Sequence, residues 1–397
     1  MKIGYIYDVI YPETIGGVEK RIHELGVRLA ARGHEVHLYG MKYWSGPDVI
    51  EREGMILHGV CPAMGLYTEG RRSILQAIRY TFGLATHLAR SDIEIFDCQN
   101  FPYFPAILLS LFCLVKKRCL VITWHEFWGR YWFLYMGFCG VAGLLIERAA
   151  LQMSPRIISV SSLTASQVKK TGYGGDVVLI PNGIDVAAIT AVHPAAERSD
   201  LIFVGRFIPE KHPELVVEAV RLLISDFPSI HAIIIGDGPD YDIIQTKIQK
   251  YGLTAHITCP GFIAEHEHVL SLMKSSRIFV LPSEREGFGI AALEAMACGL
   301  SLVTVNHPRN AASAHVLPDL GYLSAMTPED IASGIRYCLE NRPDSVASNH
   351  YATAHDWDQI THDLEQYYRT IVTGVCQKKT PDHRCSAIFD IFKKAEI

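Results

Sequence analysis

The chain lacks any CxxC pair and any Cys/His spacing of a metal site, although it carries ten cysteines. This excludes the common structural zinc motifs and leaves the thiols read as reduced and mostly buried. No G-x-G-x-x-G follows a strand with an acid about 20 residues on, which argues against a dinucleotide oxidoreductase. The opening "MKIGYIYDVIYP" has no apolar core and no small-residue cleavage site of a secretory signal, so a cytoplasmic location is expected. Basic excess is missing too. Up to Asp185 there are 19 basic and 16 acidic residues, and after it 18 and 26, so neither half suits nucleic acid. Two apolar stretches, 101–115 and 131–146, both fall short of the roughly 20 residues that span a bilayer. Buried helices are the expectation for both.

What is present is alternation. At 397 residues the chain exceeds one ordinary core, so two domains are expected. "KIGYIY" reads as a strand, and "GGVEKRIHELGVRLAARGH" then places Val18, Ile22, Leu25 and Leu29 at helical spacing before Gly33. "EVHLYG", "IEIFDC", "CLVITW", "RIISVS" and "VVLIPNG" continue a series of strands. A second series runs through "DLIFVGR", "HAIIIGDG", "HITCPG", "RIFVLPS" and "LSLVTV". Such order implies α/β architecture, with two doubly wound domains facing each other across a cleft and ligands at the carboxyl ends of the strands. The expected division is 1–185, a linker at 186–199, 200–354, a C-terminal helix at 355–375 crossing back to the first domain, and a peripheral tail at 376–397.

The chemistry concentrates in "LPSEREGFGIAALEAMACGLSLV". Glu286 and Glu294 stand on either side of seven uncharged residues, none able to pair a charge. The spacing predicts a glycine loop and a helix from about Gly289 to a stop at Gly299. The first amides of that helix lack intrahelical partners and suit a diphosphate, and Gly287 and Gly289 let a ligand approach the backbone. Each carboxylate can accept two hydroxyl hydrogen bonds, as a sugar diol offers. Arg206 follows a strand in "FVGRFIPEKHPELVVEAV" with Lys211 five residues on, two cations able to balance a leaving diphosphate.

Taken in order, "GGVEK", "SVSSLTASQV", "IPNGID", "VGRFIPEKHPELVVEA", "IIGDGP", "PGFI" and the glutamate motif resemble the retaining glycosyltransferases of family 4, which have the GT-B fold. The resemblance runs from Lys2 to about Val372. It implies an acceptor-side first domain and a donor-binding second domain. It further implies that Arg206 and Lys211 contact the donor diphosphate and that Glu286 holds a sugar hydroxyl. The Phe288-Gly289-Ile290 amides would meet phosphate or sugar, and Glu294 would bind the nucleotide ribose. The main chain at Phe262 and Ile263 would read the base, while Gly16 and Gly17 would let the first domain's opening loop approach the phosphates. His125 matches a functional histidine near the transferred sugar. Glu126 stands where many members have Asp, and Ser301-Leu302 where Pro-Val is usual, the latter a matter of packing.

The implied activity is hexosyl transfer from a UDP- or GDP-sugar to a glycan or lipid-linked acceptor, retaining configuration, with no cofactor and no metal. The competing readings are an epimerase or hydrolase of the same fold and a non-catalytic protein that only binds the nucleotide sugar. Metal-dependent transferases would need Asp-x-Asp; "DYD" (240–242) and "DWD" (356–358) are read instead as acids opening helices. Residues 127–138 hold seven aromatics, and 101–115 run into Lys116-Lys117-Arg118. Such residues also suit a peripheral contact with anionic headgroups at the cytoplasmic membrane face.

Overall fold

Lys2–Ile6 (β1) is apolar on both sides of the strand, and the structure uses both. Ile6 packs into one core layer, while Ile3 and Tyr5 pack into another on the opposite face of the sheet. The computed structural model describes residues 1–68, 71–317, 319–341 and 344–377, so the expected tail lies outside the described residues beyond Gln377.

The first sheet adds Glu35–Lys42 (β2), Val49–Arg52 (β3), Met55–Pro62 (β4), Ile95–Gln99 (β5), Cys119–Trp124 (β6), Arg156–Ser159 (β7) and Asp176–Leu179 (β8). Its spatial order is β8-β7-β6-β5-β1-β2-β4-β3, parallel except for β3, which returns antiparallel on β4 at the edge. Ile74–Leu88 (α2), Tyr103–Lys116 (α3), Tyr131–Met136 (α4) and Gly140–Met153 (α5) cover one face. Gly17–Ala31 (α1) and the last helix, Trp357–Gln377, cover the other. Ile22, Leu25 and Leu29 are buried on α1, as their spacing predicts, and Gly33 ends the turn at φ 84°.

The second sheet holds Leu201–Val204 (β9), Ala232–Ile235 (β10), Ile257–Gly261 (β11), Ile278–Leu281 (β12), Ser301–Val305 (β13) and Gly321–Ser324 (β14). All are parallel in the order β11-β10-β9-β12-β13-β14. The two doubly wound domains are those of the GT-B fold.

β3 and β14 carry no continuous apolar run; both lie at sheet edges, where two of the four β3 residues and one of the four β14 residues are exposed. Residues 186–199 hold a short helix, Val186–Ala191, and bury Ile189 and Val192 in the second core. Next to that segment the chain passes between the domains twice, side by side. The Ile184 amide donates to the His355 carbonyl at 2.9 Å, and the Trp357 amide to the Ile184 carbonyl at 3.1 Å.

The expectation of buried helices at 101–115 and 131–146 needs correction. Both pack on the sheet along one side only. Leu114, Val115, Leu134 and Phe138 are exposed, and Tyr131–Met153 is long and apolar enough, by length and composition alone, to cross a membrane.

Candidate active site

β12 ends at Leu281, and the glycine loop follows from the carboxyl end of the sheet. Arg285–Glu286 is fixed by a short parallel ladder with Arg309–Asn310. The helix Ile290–Ala297 then begins after Gly289, which sits at φ 93° and offers no side-chain cap. A Cβ there would lie 2.6 Å from the Ala312 Cβ, so both the backbone conformation and the space require glycine. The uncapped amides of this helix remain available to an anion.

His315 holds the loop from behind. Its Nε2 donates to the Phe288 carbonyl at 2.9 Å, which leaves Nδ1 to accept from the Tyr351 hydroxyl at 3.1 Å. Burial brings the His315 pKa down to about 4, so the ring is neutral and keeps that tautomer at neutral pH.

Both glutamates of the motif are well enclosed and held by lysines. Glu286 is paired with Lys211, with side chains 12% and 19% exposed. Glu294 is held by Lys20 of the first domain at 2.7 Å and by His266 at 3.1 Å. Burial alone would raise its pKa, but Lys20 and His266 outweigh that and take it down to about 2. Lys211 closes the turn Pro209–Lys211 after β9, while Arg206 lies exposed just past the same strand, with no ion pair among the described residues. β11 ends at Gly261 with φ 83°; Phe262 beyond it is exposed, and Ile263 packs against the second core.

From the first domain come the loop after β1 and the end of β6. Gly17 approaches Ile290, whose Cδ1 would lie 3.5 Å from an added Cβ, and a Cβ on Gly16 would meet Glu19 Oε2 at 2.5 Å. Glu19 is buried, and burial raises its pKa to about 7 against the pull of its own backbone hydrogen bond, Arg72 and Arg206.

His125 stands immediately past β6, with its Nε2 2.7 Å from Gln99 Oε1. Gln99 Nε2 in turn donates to buried Asp97, which also accepts from Thr123 and from Tyr368 on the last helix. That chain makes Gln99 an acceptor toward His125, so the imidazole carries its proton on Nε2 and leaves Nδ1 as an acceptor. Burial, aided by Arg21, lowers the His125 pKa to about 3, so the ring is neutral.

The two halves meet here. A Cβ on Gly287 would come 2.5 Å from the His125 carbonyl oxygen and 2.9 Å from Glu126 Cγ. The close approach that Gly287 permits is therefore one of protein to protein. Glu126 also reaches Arg285 at 3.5 Å, and the Tyr131 hydroxyl donates to Glu210. Lys20, Gln99, His266 and His315 were not legible as site residues, though Lys20 lies inside "GGVEK" and Gln99 ends a strand. The two Asp-x-Asp stretches do open helices: Asp240 precedes Tyr241–Lys250, and Asp356 and Asp358 start the last helix. Among the described residues no three His, Cys, Asp or Glu side chains converge to hold a metal.

Residues 15–188 match the family described as Glycosyltransferase Family 4, and residues 188–355 that described as Glycosyl transferases group 1. A phosphatidyl-myo-inositol mannosyltransferase of Mycobacterium tuberculosis is 26% identical over 94% of this chain and 97% of its own length. A glycogen synthase of the same organism is 26% identical over 74% of this chain and 75% of its own. In fold, the sucrose-phosphate synthase of Thermosynechococcus elongatus aligns with a TM-score of 0.77 at 20% identity, covering 94% of this chain and 99% of that one. Anabaena HepE in complex with UDP-glucose aligns with a TM-score of 0.69 at 17% identity, covering 93% and 100%. With the two matches meeting at residue 188 and the two-domain fold shared across these structures, this chain is a glycosyltransferase and belongs to family 4.

Proposed function

We propose that the protein moves a hexosyl group from a UDP- or GDP-sugar to a hydroxyl of a glycan or lipid-linked acceptor, with retained configuration and no metal. The observation that carries this is the pair of enclosed glutamates flanking an uncapped helix N-terminus, each already held by a lysine. Lys20 and His266 keep Glu294 ionised, and either carboxylate can accept hydroxyl hydrogen bonds. Glu294 takes the ribose diol, and Glu286 takes a hydroxyl of the sugar. Gly16, Gly17 and the Phe288–Ile290 backbone approach the diphosphate, and the main chain at Phe262 and Ile263 meets the base.

In the reaction the bond between the anomeric carbon and the diphosphate oxygen breaks, and one forms from that carbon to the acceptor oxygen on the same face. The acceptor proton passes to the leaving diphosphate. Arg206, Lys211 and the helix amides stabilise the charge that gathers there. Neutral His125, with Nδ1 free to accept, orients a hydroxyl of the transferred sugar. The site of action is the cytoplasm, with peripheral contact at the membrane.

Two measurements test the donor side. Arg206→Ala removes a charge-assisted contact of about 1.5–3 kcal/mol, so UDP or GDP binding should weaken at least about tenfold by calorimetry while the fold persists. Unchanged affinity would take Arg206 out of the site. Transfer should also survive excess EDTA. Complete loss, restored by one divalent metal, would contradict charge balance by side chains alone.

A further inference from the structure

The helices on one face of the first domain turn large apolar side chains outward. Leu75 and Phe82 on α2 are 59% and 72% exposed, Leu114 and Val115 on α3 are 56% and 77%, and Leu134 on α4 and Phe138 just after it are 74% and 91%. α2 packs against α3, α3 against α5, and α5 against α4, so these side chains belong to one continuous layer. Exposed apolar surface on this scale marks an interaction site rather than ordinary surface scatter.

The charges of the same layer have one sign. Arg79, Lys116, Lys117, Arg118, Arg130 and Arg148 are exposed and make no ion pair among the described residues. Across α2, α3, α4 and α5 the one acid is Glu147, and it points inward. Fully buried, it accepts from the Tyr103 hydroxyl and from the amides of Trp128 and Gly129, each at 2.8 Å. The outward sides of these four helices are therefore apolar with cations and, among the described residues, no exposed acid, complementary to anionic headgroups over hydrocarbon.

We propose that this helical layer docks the protein on an anionic lipid bilayer, lying in the interface without crossing it. Tyr131–Met153 has spanning length, but its inner side is committed to the domain. The stretch breaks at Gly137, with φ 60°. Gly143 sits so close to the Trp132 ring that a Cβ would come within 2.3 Å, and the Glu147 carboxylate is tied to the loop before α4. Pulling this stretch into hydrocarbon would expose a carboxylate and break those bonds. The surface also ends at the cleft, because α4 starts at Tyr131, whose hydroxyl donates to Glu210 of the second domain. On the proposed transfer reading, this places an acceptor held in the bilayer beside Glu286.

Flotation of the full chain with vesicles of phosphatidylcholine and phosphatidylglycerol in equal parts tests the docking. The protein should rise with these vesicles at low salt, release at high salt, and stay behind with phosphatidylcholine alone. Lys116→Glu/Arg148→Glu, both exposed positions, should lower the floated fraction at least about fivefold per reversed charge. Leu134→Ser/Phe138→Ser should lower it independently of salt. Each variant should keep the parent's affinity for UDP or GDP, which guards against a folding defect. A parent that stays at the bottom with anionic vesicles, or variants that float like the parent, would overturn the docking face. So would a dimer that Phe138→Ser dissolves in a protein that binds no vesicle. A protein that floats yet binds no nucleoside diphosphate would overturn the transfer reading and support the docking face.

Discussion

Glu286→Gln should lower turnover about a hundredfold and leave UDP or GDP affinity within about twofold. Glu294→Gln should do the reverse. The two acids sit on one loop-and-helix unit but face different partners. Glu286 lies in the loop beside Lys211, next to the segment that meets the His125 end of β6. Glu294 lies on the helix, under Lys20 and His266.

Removing the charge from Glu286 weakens a hydrogen bond to the sugar and leaves Lys211 without its counter-charge. Together these account for about 3 kcal/mol, or roughly a hundredfold in rate. Glu294 acts on the nucleotide, so its loss appears in binding. Its pKa of about 2 adds a pH signature. A carboxylate held at so low a pKa stays charged at every pH well above that value and loses its charge only as pH falls through it. The ratio of nucleotide affinities between the parent and Glu294→Gln should therefore stay constant from pH 7 to pH 5. A ratio that collapses in that window, or equal effects of both substitutions on both quantities, would mean the two roles are misassigned.

The strands and the glutamate loop were legible because they rest on local chemistry. "CLVITW" reads as a buried strand and is one, Cys119–Trp124; the stop at Gly299 reads from its position and is taken at φ 88°. What the sequence could not show is which partners the second domain finds on the first. Lys20 and Glu294 are 274 residues apart, and no periodicity links them. The Gln99–Asp97–Tyr368 support of His125 needs the last helix to return across the sheet, a tertiary fact. The outward side of α3 and α5 escapes the sequence for a related reason. A long apolar run is equally compatible with a buried helix and one buried along a single side, and only the neighbours decide.

Gly287→Ala should cost about a hundredfold in turnover while each domain stays folded. The backbone of Gly287 is not in the left-handed region, so alanine can adopt its conformation without strain; the obstacle is space. A Cβ would lie 2.5 Å from the His125 carbonyl oxygen and 2.9 Å from Glu126 Cγ. The first of these neighbours is backbone at the end of β6, fixed by the sheet and by the Asn100 side chain accepting from the His125 amide at 3.1 Å. It cannot swing aside as the end of a flexible side chain would. Relief must come from parting the two domains, by roughly 1 Å to restore an ordinary contact. A displacement of that size between reacting groups costs on the order of a hundredfold. It would fall between Glu286, next in sequence, and His125. Donor binding rests mainly on the second domain, so UDP or GDP affinity should change far less than turnover, and thermal unfolding should shift little because no core is touched. Single-turnover kinetics beside calorimetry separates the two quantities. An alanine enzyme that turns over like the parent would show that the His125–Gly287 contact is not part of the arrangement that reacts.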